Sequence, residues 1–186
     1  FIGAEGTLGV ITAAVLSLVP APKDRVTAMA TTESWTDLLR LYRILRVGLS
    51  GAMVAFEVFT ELGMKITVKH MDDVIDPFPN KYSLYALIEA ICYDNESAVH
   101  QALEAGLGEA LESGIISDAV LAESGLQAEK LWKIREGLPE AQSAENVVIK
   151  HDISVPISGV PEYVMKGGAI VAKVIPGSRL LPFGHM

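Results

Sequence analysis

The stretch YSLYALIEAIC, residues 82–92, constrains the fold most because it is almost continuously apolar. A run of this length is too short to cross a membrane, and it is typical of a central strand that is covered on both faces. Half of the 186 residues are hydrophobic, which is enough for one substantial core or two smaller ones. The sequence therefore predicts a folded domain built around this strand and not a disordered chain.

Strand and helix patterns alternate on both sides of this run. From residue 25 to residue 122 the order is βαββαβ, with an additional helix between the two middle strands. Ser34 and Asp37 form an S-x-x-D capping signal before the first helix, and Gly114 stands where the last helix should end. The predicted fold class is α+β, a ferredoxin-like βαββαβ antiparallel sheet with helices on one face, extended by further helix–strand units. This fold supports many functions and decides none of them.

Two flanking regions complete the predicted order. LGVITAAVLSLVP, residues 8–20, is rich in β-branched and apolar residues and predicts a strand, which Pro20 and Pro22 end. The C-terminal pattern predicts a helix at 125–142, a strand at 147–155, a helix near 160–174 and a last strand that enters LLPFGHM.

Arg135 lies at the border of the apolar stripe of the predicted helix 125–142. At about 100° per residue, Leu131, Ile134 and Leu138 face the core, and Arg135 stands beside them rather than opposite. Its stem can therefore pack on the core while the guanidinium reaches over the edge.

Lys150 lies on the polar face of the predicted strand. The period of two places it with Asp152 and Ser154 and turns His151 to the apolar side, so we interpret His151 as a packing residue. A planar fork from Arg135 and a point charge from Lys150 suit the binding of carboxylate groups. The alternative is that both are solvated charges, with Lys150 paired to Asp152.

Histidines and glycines give weaker signals. His185 ends an apolar run, but zinc or manganese needs three or more ligands, so one histidine does not define a metal site. His70 and His100 lie on polar helix faces and are interpreted as surface residues. GAEGTLGVIT brings three glycines around Glu5 and Thr7, which would let the backbone approach phosphate oxygens. It matches neither a Walker loop nor a dinucleotide fingerprint, and a simple turn is the alternative.

Charge and cysteine content exclude several classes of function. The formal net charge of −8 at pH 7 disfavours nonspecific binding to nucleic acid or to an anionic membrane. No apolar run approaches the roughly 20 residues of a membrane-spanning helix. The single cysteine, Cys92, cannot form an internal disulfide, so we expect a buried, inert thiol and a reducing compartment.

Three stretches carry a resemblance to a known family. FIGAEGTLGVITAAVLSLVPAP is similar to a segment that ends an FAD-binding domain, and WKIREGLPEAQ followed by IKHDISVP is similar to a substrate-binding part. PGSRLLPFGHM is similar to the opening of a Gly-His-x-Gly-Asp-Gly-Asn-x-His motif. In this order they resemble the FAD-linked oxidases and dehydrogenases of the vanillyl-alcohol oxidase type, and within them the D-2-hydroxyglutarate, D-lactate and glycolate dehydrogenase group.

The resemblance implies roles for particular residues. Residues 1–22 would form the C-terminal edge of the FAD-binding domain and a linker, and residues 23–186 the substrate-binding domain, incomplete at its C-terminus. Arg135 and Lys150 match residues that hold the carboxylates of the substrate, and His185 matches the first metal-binding histidine. Pro139 departs from the pattern, because some members carry there a hydroxyl residue that touches substrate. The implied FAD contacts are Gly3, Glu5, Gly6, Thr7, Gly9 and Val10.

The implied function is oxidation of a D-2-hydroxy acid to the 2-oxo acid. FAD would be bound mostly by an upstream domain, and the intact enzyme would hold a divalent metal, zinc or manganese. The chain alone is expected to be inactive, and no residue in it is identified as the base. The electron acceptor would be a protein or a quinone, a homodimer is compatible with the resemblance, and the location would be cytoplasmic, or mitochondrial in a eukaryote. The alternative function is a stand-alone ferredoxin-like module that binds or senses a small ligand without catalysis.

Overall fold

Five strands and six α-helices make up the computed structural model, which describes residues 1–93, 96–145 and 147–186, without the side chains of Glu96 and Ser97. The strands are β1 (Asp24–Thr32), β2 (Met53–Thr60), β3 (Leu84–Cys92), β4 (Asp118–Leu121) and β5 (Phe183–His185). The helices are α1 (Trp35–Gly48), α2 (Glu61–His70), α3 (Glu96–Glu112), α4 (Gly125–Glu136), α5 (Leu138–Glu145) and α6 (Val160–Val174), the last preceded by a 3₁₀ turn at Ile157–Gly159.

All strands belong to one antiparallel sheet with the order β4-β1-β3-β2-β5. The first four strands have the order of a ferredoxin-like βαββαβ unit, which confirms the predicted fold class. β3 lies in the centre, paired with β1 along its whole length and with β2 on its other side. Every residue of β3 except Ile91 is buried, as the continuous apolar run predicted.

Helices cover the two faces of the sheet in separate groups. α1 and α3 pack on the face that presents Ala28 of β1 and Ile88 of β3. α2, α4 and α5 pack on the opposite face, which presents Met29 and Leu87. The two helices of the βαββαβ unit thus share one face, as predicted, while the additional helices cover the other face. The double cover explains why β3 is apolar at almost every position.

Local signals at the helix ends have the predicted effect. The Ser34 side chain accepts a hydrogen bond of 3.1 Å from the backbone N–H of Asp37 at the start of α1. After α3, Gly114 adopts φ of +67°, and the N–H of Ile115 bonds back to the carbonyl of Ala110 at 2.9 Å. A residue without a side chain adopts this left-handed conformation at little cost, so the helix ends there.

Two predicted strands are absent from the described structure. Residues 8–20 and 147–155 have no strand pairing, and apolar side chains in both segments, such as Val15 and Val147, are exposed. An extended segment becomes a strand only where a neighbouring strand satisfies its N–H and C=O groups. In the sheet, the edges next to β1 and β2 are already occupied by β4 and β5.

The predicted helix at 125–142 is two helices. α4 ends at Glu136, Gly137 follows, and α5 begins at Leu138. Pro139 explains the break, because it has no N–H to donate to the carbonyl of Arg135 and is tolerated only in the first turn of a helix.

Glu145 joins three parts of the chain that the sequence keeps far apart. Its carboxylate accepts from Lys69 Nζ at 2.6 Å, His70 Nε2 at 2.7 Å and Arg179 Nη2 at 2.7 Å. The end of α5 is thereby tied to the end of α2 and to the segment that leads into β5. His70 is therefore a half-buried partner of a carboxylate, and the interpretation as a surface residue was wrong. His100 also bonds a carboxylate, that of Asp24, at 2.9 Å.

The same contacts shift the titration of Glu145. Hydrogen bonds from Lys69, then His70 and Arg179, lower the pKa of its carboxyl from 4.5 to about 2.

None of the described helices is long and apolar enough to cross a membrane.

We expect two glycines of α3 to respond oppositely to replacement by alanine. A Cβ at Gly106 would lie 2.8 Å from Cδ2 of Leu45, which is buried, whereas nothing lies within 4 Å of a Cβ at Gly108. Gly108→Ala should raise the free energy of unfolding by about 0.5–1 kcal/mol through helix propensity. At Gly106 overpacking of about 1–3 kcal/mol should outweigh that gain. Urea denaturation of the two variants decides; equal stabilisation by both would contradict this packing of α1 on α3.

Glu145 should stabilise the fold in a pH-dependent way. Because its pKa is lowered on folding, its contribution is fully present above its ordinary pKa of 4.5 and disappears as the pH falls toward about 2. The free energy of unfolding of Glu145→Gln should therefore lie below that of the wild type near neutral pH and converge with it in acid. Glu162→Gln is the control, because among the described residues Glu162 pairs only with Lys166 on the exposed surface of α6. A difference between wild type and Glu145→Gln that is independent of pH would contradict the assignment.

Candidate substrate site at the β2–β5 edge

Arg135 lies in the last turn of α4, where the helix meets the sheet. Leu131 and Ile134 are buried and hold α4 on the sheet, as the apolar stripe predicted. The guanidinium of Arg135 donates through Nε to Oε2 of Glu57 on β2, at 2.8 Å. The side chains of Arg135 and Glu57 are only 16% and 15% exposed, so the pair is shielded from water on most sides.

An aromatic ring supports the same guanidinium. Cζ of Arg135 lies 5.1 Å from the centroid of the Phe183 ring on β5, within the range of a cation–π contact. The guanidinium is thus held by one hydrogen bond at Nε and by one ring face. In the described residues, the two terminal nitrogens of Arg135 have no hydrogen-bond partner.

His185 lies on the strand that carries this ring. In the β2–β5 pairing, Glu57 is opposite His185, and Phe59 is opposite Phe183. Facing residues of an antiparallel pair project to the same side of the sheet. The structure therefore brings Arg135, Glu57 and His185 to one edge, although β5 leaves the imidazole exposed.

Lys150 lies against α5 and not on a strand. Its Nζ donates to the carbonyl of Pro139 at 3.3 Å and to Oγ of Ser143 at 3.2 Å. Ser143 itself donates to the same carbonyl at 2.8 Å. The strand face predicted for Lys150 was wrong, and no ion pair with Asp152 occurs in the described part of the chain. Lys150 nevertheless lies next to the helix that directly follows α4.

His151 is exposed, so its interpretation as a packing residue was wrong. The prediction relied on a strand that would present one face to a core, and that strand does not form. The segment around Lys150 and His151 instead is exposed and has no strand pairing, and Lys150 contacts α5 through its side chain.

The glycine-rich segment forms consecutive turns. Gly3, Gly6 and Gly9 have positive φ, and Glu5 has φ of +49°. Thr7 donates through Oγ1 to the carbonyl of Ala4 at 2.6 Å, which is a contact within the turn. Apart from Ala4, the residues of this segment are exposed, and Val10 is among the most exposed.

Potential metal ligands are not assembled in the structure. Over residues 1–93, 96–145 and 147–186, no group of three or more His, Cys, Asp or Glu side chains could hold a metal ion. Around His185 the nearest carboxylate in the strand register is Glu57, which is already paired to Arg135. The described residues therefore do not form a metal site by themselves.

A wide groove of about 1130 Å³ lies elsewhere on the same sheet face. Its lining includes Arg25, Glu89 and Trp132 but neither Arg135, Lys150 nor His185. Glu89 is engaged by internal partners there, because it accepts from Arg25 at 2.9 Å and from the indole N–H of Trp132 at 2.8 Å. This groove is therefore separate from the edge that carries Arg135 and His185.

Sequence reasoning missed Glu57 and Ser143. Glu57 lies in an apolar strand pattern, where a single polar residue is typical of a partly exposed strand. It is separated from Arg135 by 78 residues in the sequence. Ser143 is one turn after Pro139, but its contact with Lys150 depends on how the chain returns over α5. Neither contact has a local signal in the sequence.

Similar proteins point to one family. The family model described as "FAD linked oxidases, C-terminal domain" matches residues 21–186. A probable mitochondrial D-2-hydroxyglutarate dehydrogenase from Oryza sativa subsp. indica is 31% identical over 188 residues, covering 100% of this chain and 33% of the relative. The D-2-hydroxyglutarate dehydrogenase of Xanthomonas citri pv. viticola is 31% identical over 185 residues, covering 100% of this chain and 38% of the relative.

A yeast relative has a related but different name. The D-2-hydroxyglutarate–pyruvate transhydrogenase of Saccharomyces cerevisiae is 26% identical over 193 residues, covering 100% of this chain and 39% of the relative. The chain thus spans between a third and two fifths of the length of these three relatives. Because the family model covers most of the chain, the chain belongs to the family of FAD linked oxidases, C-terminal domain.

Proposed function

We propose that this chain is the substrate-binding part of a flavin-dependent dehydrogenase that oxidises a D-2-hydroxy acid to the 2-oxo acid. The observation that carries the proposal is how the Arg135 guanidinium is held and which of its nitrogens lack a partner in the described residues. Its guanidinium is fixed at Nε and by a ring face, while both terminal nitrogens lack partners in the described residues. A guanidinium held in this way presents two parallel donors to a carboxylate.

We propose that Lys150 supplies a second positive charge to the substrate site. Two of the donors of its ammonium group are engaged by Pro139 and Ser143, which leaves one for a ligand. Arg135 in the last turn of α4 and Lys150 against α5 would together suit a substrate with one or two carboxylates. Binding at these groups would hold the substrate in one orientation, which favours reaction by lowering the entropic part of the barrier.

The names of relatives support the choice of substrate class. The rice and Xanthomonas proteins are both named as D-2-hydroxyglutarate dehydrogenases. We propose D-2-hydroxyglutarate as the first acid to test, with D-lactate and glycolate as the smaller members of the same class. Some members of the family carry a hydroxyl residue that touches substrate where this chain has Pro139. In this chain the hydroxyl that contacts Lys150 is that of Ser143.

FAD, when bound, accepts the two electrons and the α-hydrogen of the hydroxy acid. We propose that residues 1–22 belong to the flavin domain and residues 23–186 to the substrate domain. The turns at Gly3, Gly6 and Gly9 expose backbone N–H groups that suit phosphate oxygens, and Glu5, Thr7 and Val10 lie between or beside them. The exposed apolar side chains of this segment fit a surface that another part of a longer protein covers.

We propose only one ligand for a divalent metal among the described residues. His185 is exposed at the end of β5 and can offer one imidazole nitrogen, and the other ligands of a zinc or manganese site would have to come from outside the described residues. The roles proposed for Arg135 and Lys150 do not depend on a metal.

The family match favours an enzyme over a stand-alone ligand-binding module. A module of that kind would account for the sheet and its helices, but not for similarity to dehydrogenases along the whole chain. We propose a protein or a quinone as the electron acceptor. We also propose a homodimer, which size-exclusion chromatography can test. A cytoplasmic location, or a mitochondrial one in a eukaryote as in the name of the rice relative, can be tested by cell fractionation.

Arg135→Lys should impair catalysis by the intact flavoprotein that carries this chain. Lysine keeps the charge and can pair with Glu57, but it has no fork that could bind Glu57 and a carboxylate together. We expect kcat/KM for D-2-hydroxyglutarate to fall about tenfold to hundredfold, the range of one charged hydrogen bond.

The control for this variant is Arg25→Lys. Arg25 pairs with Glu89 on the same face of the sheet, and its side chain is largely exposed. Steady-state kinetics should show an unchanged kcat/KM for the control. A wild-type rate in Arg135→Lys would remove Arg135 from the substrate site.

The 186 residues alone should hold neither FAD nor a divalent metal in stoichiometric amounts. The glycine-rich segment is exposed, and the described residues form no metal site. Flavin absorbance and elemental analysis of the purified chain test this, and a yellow or metal-loaded chain would contradict it. In the intact protein, His185→Ala should lower the metal content.

A further inference from the structure

We infer that Glu57 is a positioning residue for substrate binding, which fixes the plane of the Arg135 guanidinium so that its terminal nitrogens face the carboxylate of the substrate. The inference rests on the proposed function of Arg135 and adds to it a residue with a separate role. Glu57 acts through Arg135 and need not touch the substrate.

Two contacts are needed to fix the plane of a guanidinium, and the structure provides both. The 2.8 Å bond from Nε to Glu57 sets the direction in which the fork points. The Phe183 ring, 5.1 Å from Cζ, lies against the guanidinium and limits its rotation about that bond. Because Glu57 uses Nε, it leaves the far edge of the fork to a ligand.

The burial of the pair points to orientation rather than stability. Both side chains are about five-sixths buried, and taking two charges out of water costs free energy that their attraction repays only in part. An apolar pair at this place would serve the core equally well. A pair is useful there when the arginine must keep its direction at the edge of the core.

Glu57 is also dedicated to Arg135. In the described part of the chain it accepts a hydrogen bond from Arg135 alone. Glu89, another carboxylate on this sheet face, accepts from Arg25 and Trp132, with Thr27 Oγ1 at 3.5 Å, and so forms an internal network. The two glutamates therefore offer a matched comparison between a positioning pair and a structural one.

The strand register places Glu57 between the two site elements. It lies opposite His185 on β5 and bonds to Arg135, so it connects the strand that ends in the histidine to the last turn of α4. A shift of Glu57 would move the fork of Arg135 relative to β5.

Two variants of the intact flavoprotein separate position from charge. Glu57→Gln keeps an oxygen acceptor at the same distance and removes the charge, whereas Glu57→Asp keeps the charge and withdraws the acceptor by one methylene. We expect Glu57→Gln to keep kcat/KM for D-2-hydroxyglutarate within about threefold and Glu57→Asp to lower it about tenfold or more, because a misplacement of about 1 Å can cost that much. The loss should appear in kcat as well as in KM.

Glu89→Gln and Glu89→Asp are the controls. They disturb a comparable ion pair on the same sheet face and should leave kcat/KM unchanged, while thermal unfolding shows that all four variants are folded. Equal losses in Glu57→Gln and Glu57→Asp, or a larger loss in Glu57→Gln, would overturn the inference, because charge rather than position would then matter. Wild-type kinetics in Glu57→Asp would also overturn it.

A binding measurement keeps this inference distinct from the proposed reaction. If the wild-type protein oxidises no D-2-hydroxy acid, the proposed function fails, and glutarate then serves as an inert dicarboxylate probe in calorimetry. The Kd for glutarate should rise about tenfold in Glu57→Asp and stay near the wild-type value in Glu57→Gln. Absence of glutarate binding by the wild type, or equal affinities in the two variants, would overturn the role of Glu57 itself.

Discussion

The burial of β3 on both faces is the constraint on which the rest of the structure depends. β3 lies in the centre of the sheet, and nearly all of its side chains are buried. One helical layer cannot cover such a strand, so α1 and α3 pack on one face and α2, α4 and α5 on the other. The second layer is what brings α4, with Arg135 at its end, onto the sheet.

The candidate site is a consequence of where this second layer ends. α4 stops at Glu136, next to the edge formed by β2 and β5, and its last turn places a guanidinium against Glu57 and Phe183. α5 begins after the break at Gly137, and its Pro139 carbonyl accepts a hydrogen bond from Lys150. Glu145, at the end of α5, then ties the segment before β5 to the same layer through Arg179. Charged groups on α4 and α5 are thus paired with partners on β2, on α2 and in the segment before β5, although the core beneath them is apolar.

Periodicity predicted the elements well where a partner exists within the chain. The order from β1 to β4, the cap at Ser34 and the end of α3 at Gly114 follow from local patterns, and the structure confirms them. Residues 8–20 and 147–155 show the same β-branched patterns but do not pair. Alternation says which side chains would face a neighbour, but it does not say whether a neighbouring strand is present. The errors for Lys150 and His151 have this single cause.

By itself the sequence determined the central strand, the ferredoxin-like order and the border position of Arg135, because each depends on periods of two or 3.6 within one element. Only the tertiary structure decided the partners of the charged groups. Glu57 and Arg135 are separated by 78 residues, and Glu145 and Lys69 by 76. Contacts at such separations depend on strand order, on the second layer of helices and on the return of the chain over α5. No local pattern encodes these features, because the free energy that fixes them comes from the burial of the whole core.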